Sequence, residues 1–338
     1  MYLEINAAGC PNTCRHCSVD GHKPYGPLFT IDQLRAIKKE WSSLTIRYEP
    51  TAHPDFPEIY SSDIAMPYDG WLVTNGYGIA NRGDYPSLLE KMRQMEFTTL
   101  AFTFHGFEEH HDWFVCRKGA YHDLMVATER ACEFGFHVNW QIYVDKISIP
   151  DLAAFVDLSN KKTGCNPDIS IPYHRVSTRL WNYERLRLTL DDVRKYYAPD
   201  MVQDSHWNGL LHAEEITAAE WLKKWRCAPY SKDFKILFEP PSWPPDPSVP
   251  DLSLTIDHDG KIYLDPMCSP PIYLAKISEG KKKTIEKLQK LPMPQFADIS
   301  PDELDIPPEE QQQLHPEGFS LRYKEISRKM YAKNPMPA

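Results

Sequence analysis

The first 175 residues alternate short apolar runs with helical patterns, and this constrains the fold more than any other feature of the chain. The apolar runs are YLEINAA, LTIRYE, GWLVTNG, FTTLAFTFHG, HVNWQIYV and DISIPYHRV. Between them lie FTIDQLRAIKKEW, YPSLLEKMRQM and AYHDLMVATERACEFG. In the first of these, Ile31, Leu34 and Ile37 recur at helical spacing behind a Thr30 N-cap, and Gly135 closes the last. Strands that alternate with helices through short loops run parallel, because each crossover helix returns the chain to the same edge. Six such strands predict an α/β fold, a partial or full β/α barrel. In such folds reactive residues sit in the loops after the strands.

Composition narrows the class. The 338 residues suit one large domain with appendages, or two domains. With 42% hydrophobic and 25% charged residues, the chain reads as globular. No apolar run is long enough to span a bilayer, and MYLEINAAG lacks the basic start and apolar core of a signal peptide, so a cytoplasmic protein without a membrane partner is expected. A net charge of −9 argues against a large nucleic-acid footprint. Eight cysteines in a leaderless chain point to metal or redox use rather than to a disulfide framework.

Beyond residue 180 the pattern weakens. LTLDDVRKYYAP and TAAEWLKKW read as helices, and six prolines within residues 240–250 mark a loop. LSLTIDHDGKIYLDP, residues 252–266, reads as a hairpin turning at HDG. EGFSLRYKEISRKMY predicts one helix in a proline-rich tail.

Three cysteines crowd into GCPNTCRHCSVDG, residues 9–21, straight after the first strand. Cys10, Cys14 and Cys17 have the spacing C-x3-C-x2-C. Three thiolates hold three corners of a [4Fe–4S] cluster and leave one iron open. The same three with His16 or His22 would instead make a zinc knuckle, and hence a non-catalytic interaction module. Spacing alone leaves both readings standing.

Further landmarks separate them. CPNTCRHC after an N-terminal strand resembles the signature loop of the radical S-adenosylmethionine (radical SAM) superfamily. The second strand of that family typically ends in Gly-Gly-Glu-Pro. Here IRYEPTAHPDF matches at Glu49, Pro50, Thr51, His53, Pro54, Asp55 and Phe56, with Arg47 and Tyr48 in place of the glycines. LVTNG supplies the Thr-Asn-Gly of the third strand at Thr74, Asn75 and Gly76. The fourth-strand motif, typically Ser-x-Asp-Gly, here has Thr103 and His105 in place of Ser and Asp and matches at Gly106, His111, Asp112, Arg117 and Gly119. The resemblance covers residues 1–175. It implies a cluster at Cys10, Cys14 and Cys17 whose open iron binds SAM, and a 5′-deoxyadenosyl radical that takes hydrogen from an unreactive carbon. It also implies an electron donor such as flavodoxin or ferredoxin. Glu49 would meet the SAM ammonium, and Tyr48 would offer backbone groups. Asn75 and Thr103 would line the ribose or adenine, and Gln141 would reach the ribose or carboxylate. Arg117 or Arg130 would hold the carboxylate, and His105 would point towards substrate.

The hairpin resembles the C-terminal SPASM or twitch extension of some of these enzymes, through Gly260, Tyr263, Pro266 and Cys268. An auxiliary cluster there would need Cys165, Cys227 and Cys268 to converge. Alternatively Cys268 or Cys116 would donate hydrogen to a substrate radical, as in radical SAM epimerases. The expected organisation is a partial (β/α)6 TIM-like radical SAM barrel over residues 1–215, a small α+β twitch-like extension over 216–290, and a proline-rich tail with a C-terminal helix over 291–338. The expected outcome is oxidation, epimerisation or bond formation on a small polar metabolite. The alternative substrate is a ribosomally made peptide presented by a separate recognition protein.

Overall fold

The computed structural model describes residues 2–15, 29–65, 69–170, 253–256, 259–264 and 272–290, with single positions at 186, 188, 192, 195 and 196. The proline-rich segment, the helix expected at 217–225 and the helix expected in the tail lie outside the described residues, as does nearly all of the helix expected at 188–199. The six strands of the alternating region are β1 (Tyr2–Ile5), β2 (Leu44–Ile46), β3 (Trp71–Thr74), β4 (Thr99–Phe104), β5 (His137–Tyr143) and β6 (Asp168–Ser170). The helices between them are α1 (Ile31–Trp41), α2 (Tyr77–Asn81), α3 (Tyr85–Gln94), α4 (Glu108–Val115), α5 (Ala120–Glu133) and α6 (Leu152–Thr163). The hairpin is β7 (Ser253–Ile256) and β8 (Lys261–Leu264). It is followed by β9 (Ile272–Lys276) and α7 (Gly280–Leu288).

α1 starts where the sequence places it. The Thr30 hydroxyl accepts from the Gln33 amide and the Gln33 side chain accepts from the Thr30 amide, a reciprocal cap. Its buried face is Leu34, Ile37 and Trp41. The short α2 and α4 were not anticipated, and both lie directly after strand ends.

All six strands of the alternating region pair in parallel, as expected, but as two sheets rather than one. One has the order β3-β4-β5-β6 and the other β2-β1-β7-β8-β9. Among the described residues no ladder joins β2 to β3. In the second sheet β7 lies parallel to β1, with Leu3 opposite Leu254 and Ile5 opposite Ile256. The hairpin, antiparallel within itself, therefore extends the sheet that carries the cysteine loop. Leu3, Ile5, Leu44, Ile46, Leu254 and Ile256 share one face and join one core with Leu34, Ile37, Trp41 and Leu288.

In the first sheet, register places Leu100, Phe102 and Phe104 beside Val138, Trp140 and Ile142. This face meets the helices: the Trp140 indole N–H donates to Thr128 of α5 at 3.1 Å, and the ring of Phe155 in α6 lies 5.5 Å from that of Phe104. The opposite face carries Ala101, Thr103, Asn139, Gln141 and Tyr143, with Trp71 and Val73 still 38% and 47% exposed.

Leu254 is fully buried between Leu3 and Leu264. Leu254→Ala is expected to destabilise the protein by roughly 2–5 kcal/mol. Denaturant unfolding followed by far-UV circular dichroism measures this. A loss below about 1 kcal/mol would mean that the hairpin does not share the core of β1.

Candidate functional site

The cysteine segment leaves the C-terminal end of β1, where loops of an α/β fold carry reactive groups. Cys10 and Cys14 are half-buried there, and Cys17 lies outside the described residues. The outgoing limb is tied to the end of α4. The Thr13 amide donates to the Val115 carbonyl at 3.0 Å and the Arg15 amide to the Phe114 carbonyl at 2.9 Å. The Arg15 Nε donates to the Trp113 carbonyl at 3.1 Å, and its guanidinium sits 4.1 Å from the centre of the Trp113 ring. Arg117 adds a half-buried latch. Its Nε donates to the Asn12 Oδ1 and its Nη1 pairs with Asp123, both at 2.6 Å, while Tyr77 lies under the cation at 5.2 Å. The returning limb is tied by His53. Its Nδ1 accepts from the Asp55 amide, so Nε2 carries the proton and donates to the Phe29 carbonyl at 2.9 Å.

Glu49 is the hub beside this loop. Only 2% exposed, its carboxylate accepts from the hydroxyls of Thr51 and Thr74 and from the Asn75 amide. Burial pushes its carboxyl above the usual range, and the three donors oppose that shift. The bonds join the end of β2 to the end of β3, where no ladder does. Asn75 continues the chain: its Oδ1 accepts from the Tyr77 amide at 3.0 Å, and its Nδ2 donates to the Cys10 sulfur at 3.3 Å. Gly76 follows with φ +75°, and a Cβ there would stand 2.9 Å from that of Ala127 in α5, so the Thr-Asn-Gly turn requires glycine. Tyr48, just before Glu49, has φ +71°. The left-handed backbone explains the family's glycine at this position, and the tyrosine keeps the conformation without the glycine.

Thr103 and Gln141 are register neighbours on β4 and β5, both half-buried on the face away from the helices. Asn139, on the same face, donates to Asp168 at 2.9 Å. His105 is sealed rather than open: its ring stacks on Phe114 at 4.0 Å, with Tyr143 at 5.6 Å. Among the described residues this packing leaves His105 only 2% exposed. His111 accepts from the His105 amide at 3.1 Å. Burial lowers its pKa to about 3. Asp112 caps α5 through the amides of Gly119 and Tyr121. A pair that sequence reasoning missed joins α4 to the turn after β5: His110 Nε2 meets Asp145 Oδ2 at 2.7 Å, and Asp145 is held by the amides of Ile147 and Ser148.

Other expected residues stand elsewhere. Arg130 donates from Nη1 to the carbonyls of Ile79 and Ala80, both at 2.8 Å, and stacks on Tyr85 at 3.7 Å. It caps the end of α2, a structural employment that accounts for its charge without a SAM carboxylate. Arg117 holds Asn12 and Asp123 instead. Cys116 is exposed at the left-handed C-terminal end of α4, its sulfur directed at the Trp113 and Phe114 carbonyls. Cys165 lies 3.7 Å from His137 Nδ1, before β6 and beside the start of β5. That is the opposite end of the strands from Cys10. Cys227 and Cys268 lie outside the described residues.

The described part of the cysteine loop, with Cys10 and Cys14, stands at the C-terminal end of β1 in a parallel α/β fold. Residues 7–145 match the Radical SAM superfamily, so this part of the chain is a radical SAM domain. No curated protein sequence matches it. Among solved structures, anSMEcpe with bound AdoMet is 16% identical, with a TM-score of 0.54 over 98% of this chain and 96% of that one. The same protein with AdoMet and the Cp18Cys peptide is 14% identical, with a TM-score of 0.52 over 98% and 95%. A histidine-tagged form with AdoMet gives 0.51 over 86% and 77%, again at 16% identity. At such identities the likeness concerns the fold, and it supports a partial TIM-like barrel.

Two outcomes follow from this geometry. Arg117→Ala strands Asp123 and frees Asn12, so a loss of roughly 2–4 kcal/mol is expected. Iron retained after reconstitution should fall in parallel, and Arg117→Lys should restore only part of both. His111 stays neutral in the folded state while an unfolded histidine takes up a proton near pH 6.5. The unfolded state thus binds more protons between pH 6.5 and about 3, and stability should fall as pH drops through that window. His111→Gln should flatten that slope in urea titrations at successive pH values. An unchanged slope would mean that His111 is not the group responsible.

Proposed function

We propose that Cys10, Cys14 and Cys17 hold a [4Fe–4S] cluster, and that the chain uses SAM there to remove a hydrogen atom from a substrate carbon. The observation that carries this is the position of Cys10 and Cys14 at the C-terminal end of β1, in a segment tied through Asn12, Thr13 and Arg15. The donor set suits the group: three thiols in eight residues leave one corner of a cubane open. SAM bound at that corner of a reduced cluster supplies a 5′-deoxyadenosyl radical.

The protein's own residues bind and orient. Thr103 and Gln141 present a hydroxyl and an amide side by side, suited to the ribose or carboxylate of SAM. Tyr48 offers backbone groups at the end of β2. Glu49 acts on the site through Thr74 and Asn75, to which it is bonded. Its remaining acceptor capacity is the part left for the SAM ammonium. An electron donor of the flavodoxin or ferredoxin kind would supply one electron per SAM cleaved. Cys116, exposed beside the loop, and Cys268 remain the thiols for a hydrogen-donor role. The zinc-module reading loses its support, because the superfamily match spans the cysteine loop.

We place the substrate among peptides. Support comes from the anSMEcpe structure that binds the Cp18Cys peptide and shares this fold along 98% of the chain. A small polar metabolite is the second reading. It is favoured by Thr103, Asn139, Gln141 and Asp168 on the face away from the helices.

After anaerobic reconstitution, about four iron and four sulfide per chain are expected. Cys10→Ala, Cys14→Ala or Cys17→Ala should each remove most of that iron. Dithionite and SAM should then yield 5′-deoxyadenosine from the native chain and not from these variants. About eight iron would mean a second cluster in the extension. Zinc in place of iron would sink the reading. A cysteine-containing peptide that raises deoxyadenosine yield supports the peptide class. A rise with sugars or aminocyclitols, and none with peptides, would replace it.

A further inference from the structure

We infer that Asn75 is a positioning residue that tunes the reduction potential of the cluster, through a hydrogen bond from its side-chain amide to Cys10. The inference rests on Cys10 being a cluster ligand. The Asn75 Nδ2 lies 3.3 Å from the Cys10 sulfur. The Tyr77 amide settles which way the side chain points. It donates to Oδ1 at 3.0 Å, so the oxygen must face Tyr77 and the NH2 must face the sulfur. The Asn75 backbone is held as well, because its amide donates to the buried carboxylate of Glu49. Glu49 in turn is fixed by Thr51 and Thr74. The donor is therefore preset on two elements, β3 and the turn after β2, and does not depend on the cysteine loop for its orientation.

An N–H group beside a coordinating sulfur places positive partial charge where the reduced cluster carries its extra electron. It stabilises the reduced form more than the oxidised form, and so raises the potential. A radical SAM enzyme must reduce its cluster before anything else happens. A donor at this position eases that step without touching substrate.

The test uses the full-length protein, reconstituted anaerobically and without SAM. Asn75→Ser keeps a short acceptor for the Tyr77 amide, loses the reach to sulfur and adds no charge. Asn75→Asp keeps Oδ1 and loses the donor. At a fixed solution potential near the native midpoint, the ratio of reduced to oxidised cluster is read by electron paramagnetic resonance and normalised to iron bound. It should fall by about three- to tenfold in Asn75→Ser and further in Asn75→Asp. Resonance Raman should show a shifted iron–cysteine stretching band in both. An unchanged ratio per bound cluster in Asn75→Ser overturns the inference, even if total iron falls, because a purely structural role would lower loading alone. Should Asn75→Ser not load, Asn75→Asp with a native ratio overturns it equally. Full iron in Cys10→Ala would instead overturn the ligand reading on which it rests.

Discussion

The buried carboxylate of Glu49 is the interaction on which the reactive end of the molecule depends. A carboxylate at 2% exposure is costly unless donors surround it. Here they come from two places: Thr51 follows β2, and Thr74 and Asn75 end β3. Among the described residues β2 and β3 belong to different sheets, so the Glu49 side chain joins them where a strand ladder would do so elsewhere in the barrel. Removing a carboxylate oxygen would leave at least one donor buried without an acceptor, which costs more than the bond itself contributes. The hub thus sets the relative position of two sheet ends, and through Asn75 it reaches the first cysteine.

The cysteine loop is held by the same strategy of polar contacts at its limbs. Ordering a loop costs conformational entropy, and each anchored residue reduces what a bound group must still order. Asn12, Thr13 and Arg15 anchor one limb to α4 and to Arg117. His53 anchors the other at Phe29. This gives α4 a reason to exist. Its last turn offers the carbonyls of Trp113, Phe114 and Val115, which a helix end leaves free, to the amides and the guanidinium of the loop.

Much of the architecture was legible because it is local. Helical spacing and a capping residue marked α1. The alternating runs marked the six strands of the barrel, and HDG marked the hairpin of β7 and β8. What was not legible depends on partners distant in sequence. Nothing in LSLTI says that it pairs with YLEI, at the far end of the chain, since matching apolar alternation fits many neighbours. The gap between β2 and β3 is invisible for the same reason. Residue roles divide similarly. The cysteine spacing and the Glu49 and Asn75 motifs marked segments that the fold brings together at one end of the strands. The two arginines were read as anion holders because both are cations near motif residues. Arg130 caps a five-residue helix that sequence reasoning did not foresee, and Arg117 closes on Asn12, 105 residues away. The charge of an arginine is visible in a sequence, but its partner is not.

Tyr48 shows how a departure from a family pattern can be read physically. A glycine is usual at this place because the backbone turns left-handed there, at φ +71°, before the hub residue. Replacing glycine with a side chain at such a torsion costs on the order of 1 kcal/mol. The turn survives because Glu49 over-determines it: three hydrogen bonds on a buried carboxylate outweigh the strain of one residue. The substitution also puts a half-buried aromatic side chain beside Glu49, the residue proposed to meet SAM. Glycine leaves bare backbone at such a place, whereas tyrosine adds a ring and a phenol. The hub and the Asn75–Cys10 bond tie the two sheet ends to the cysteine loop, so the shared chemistry can stay in place while the wall beside it changes.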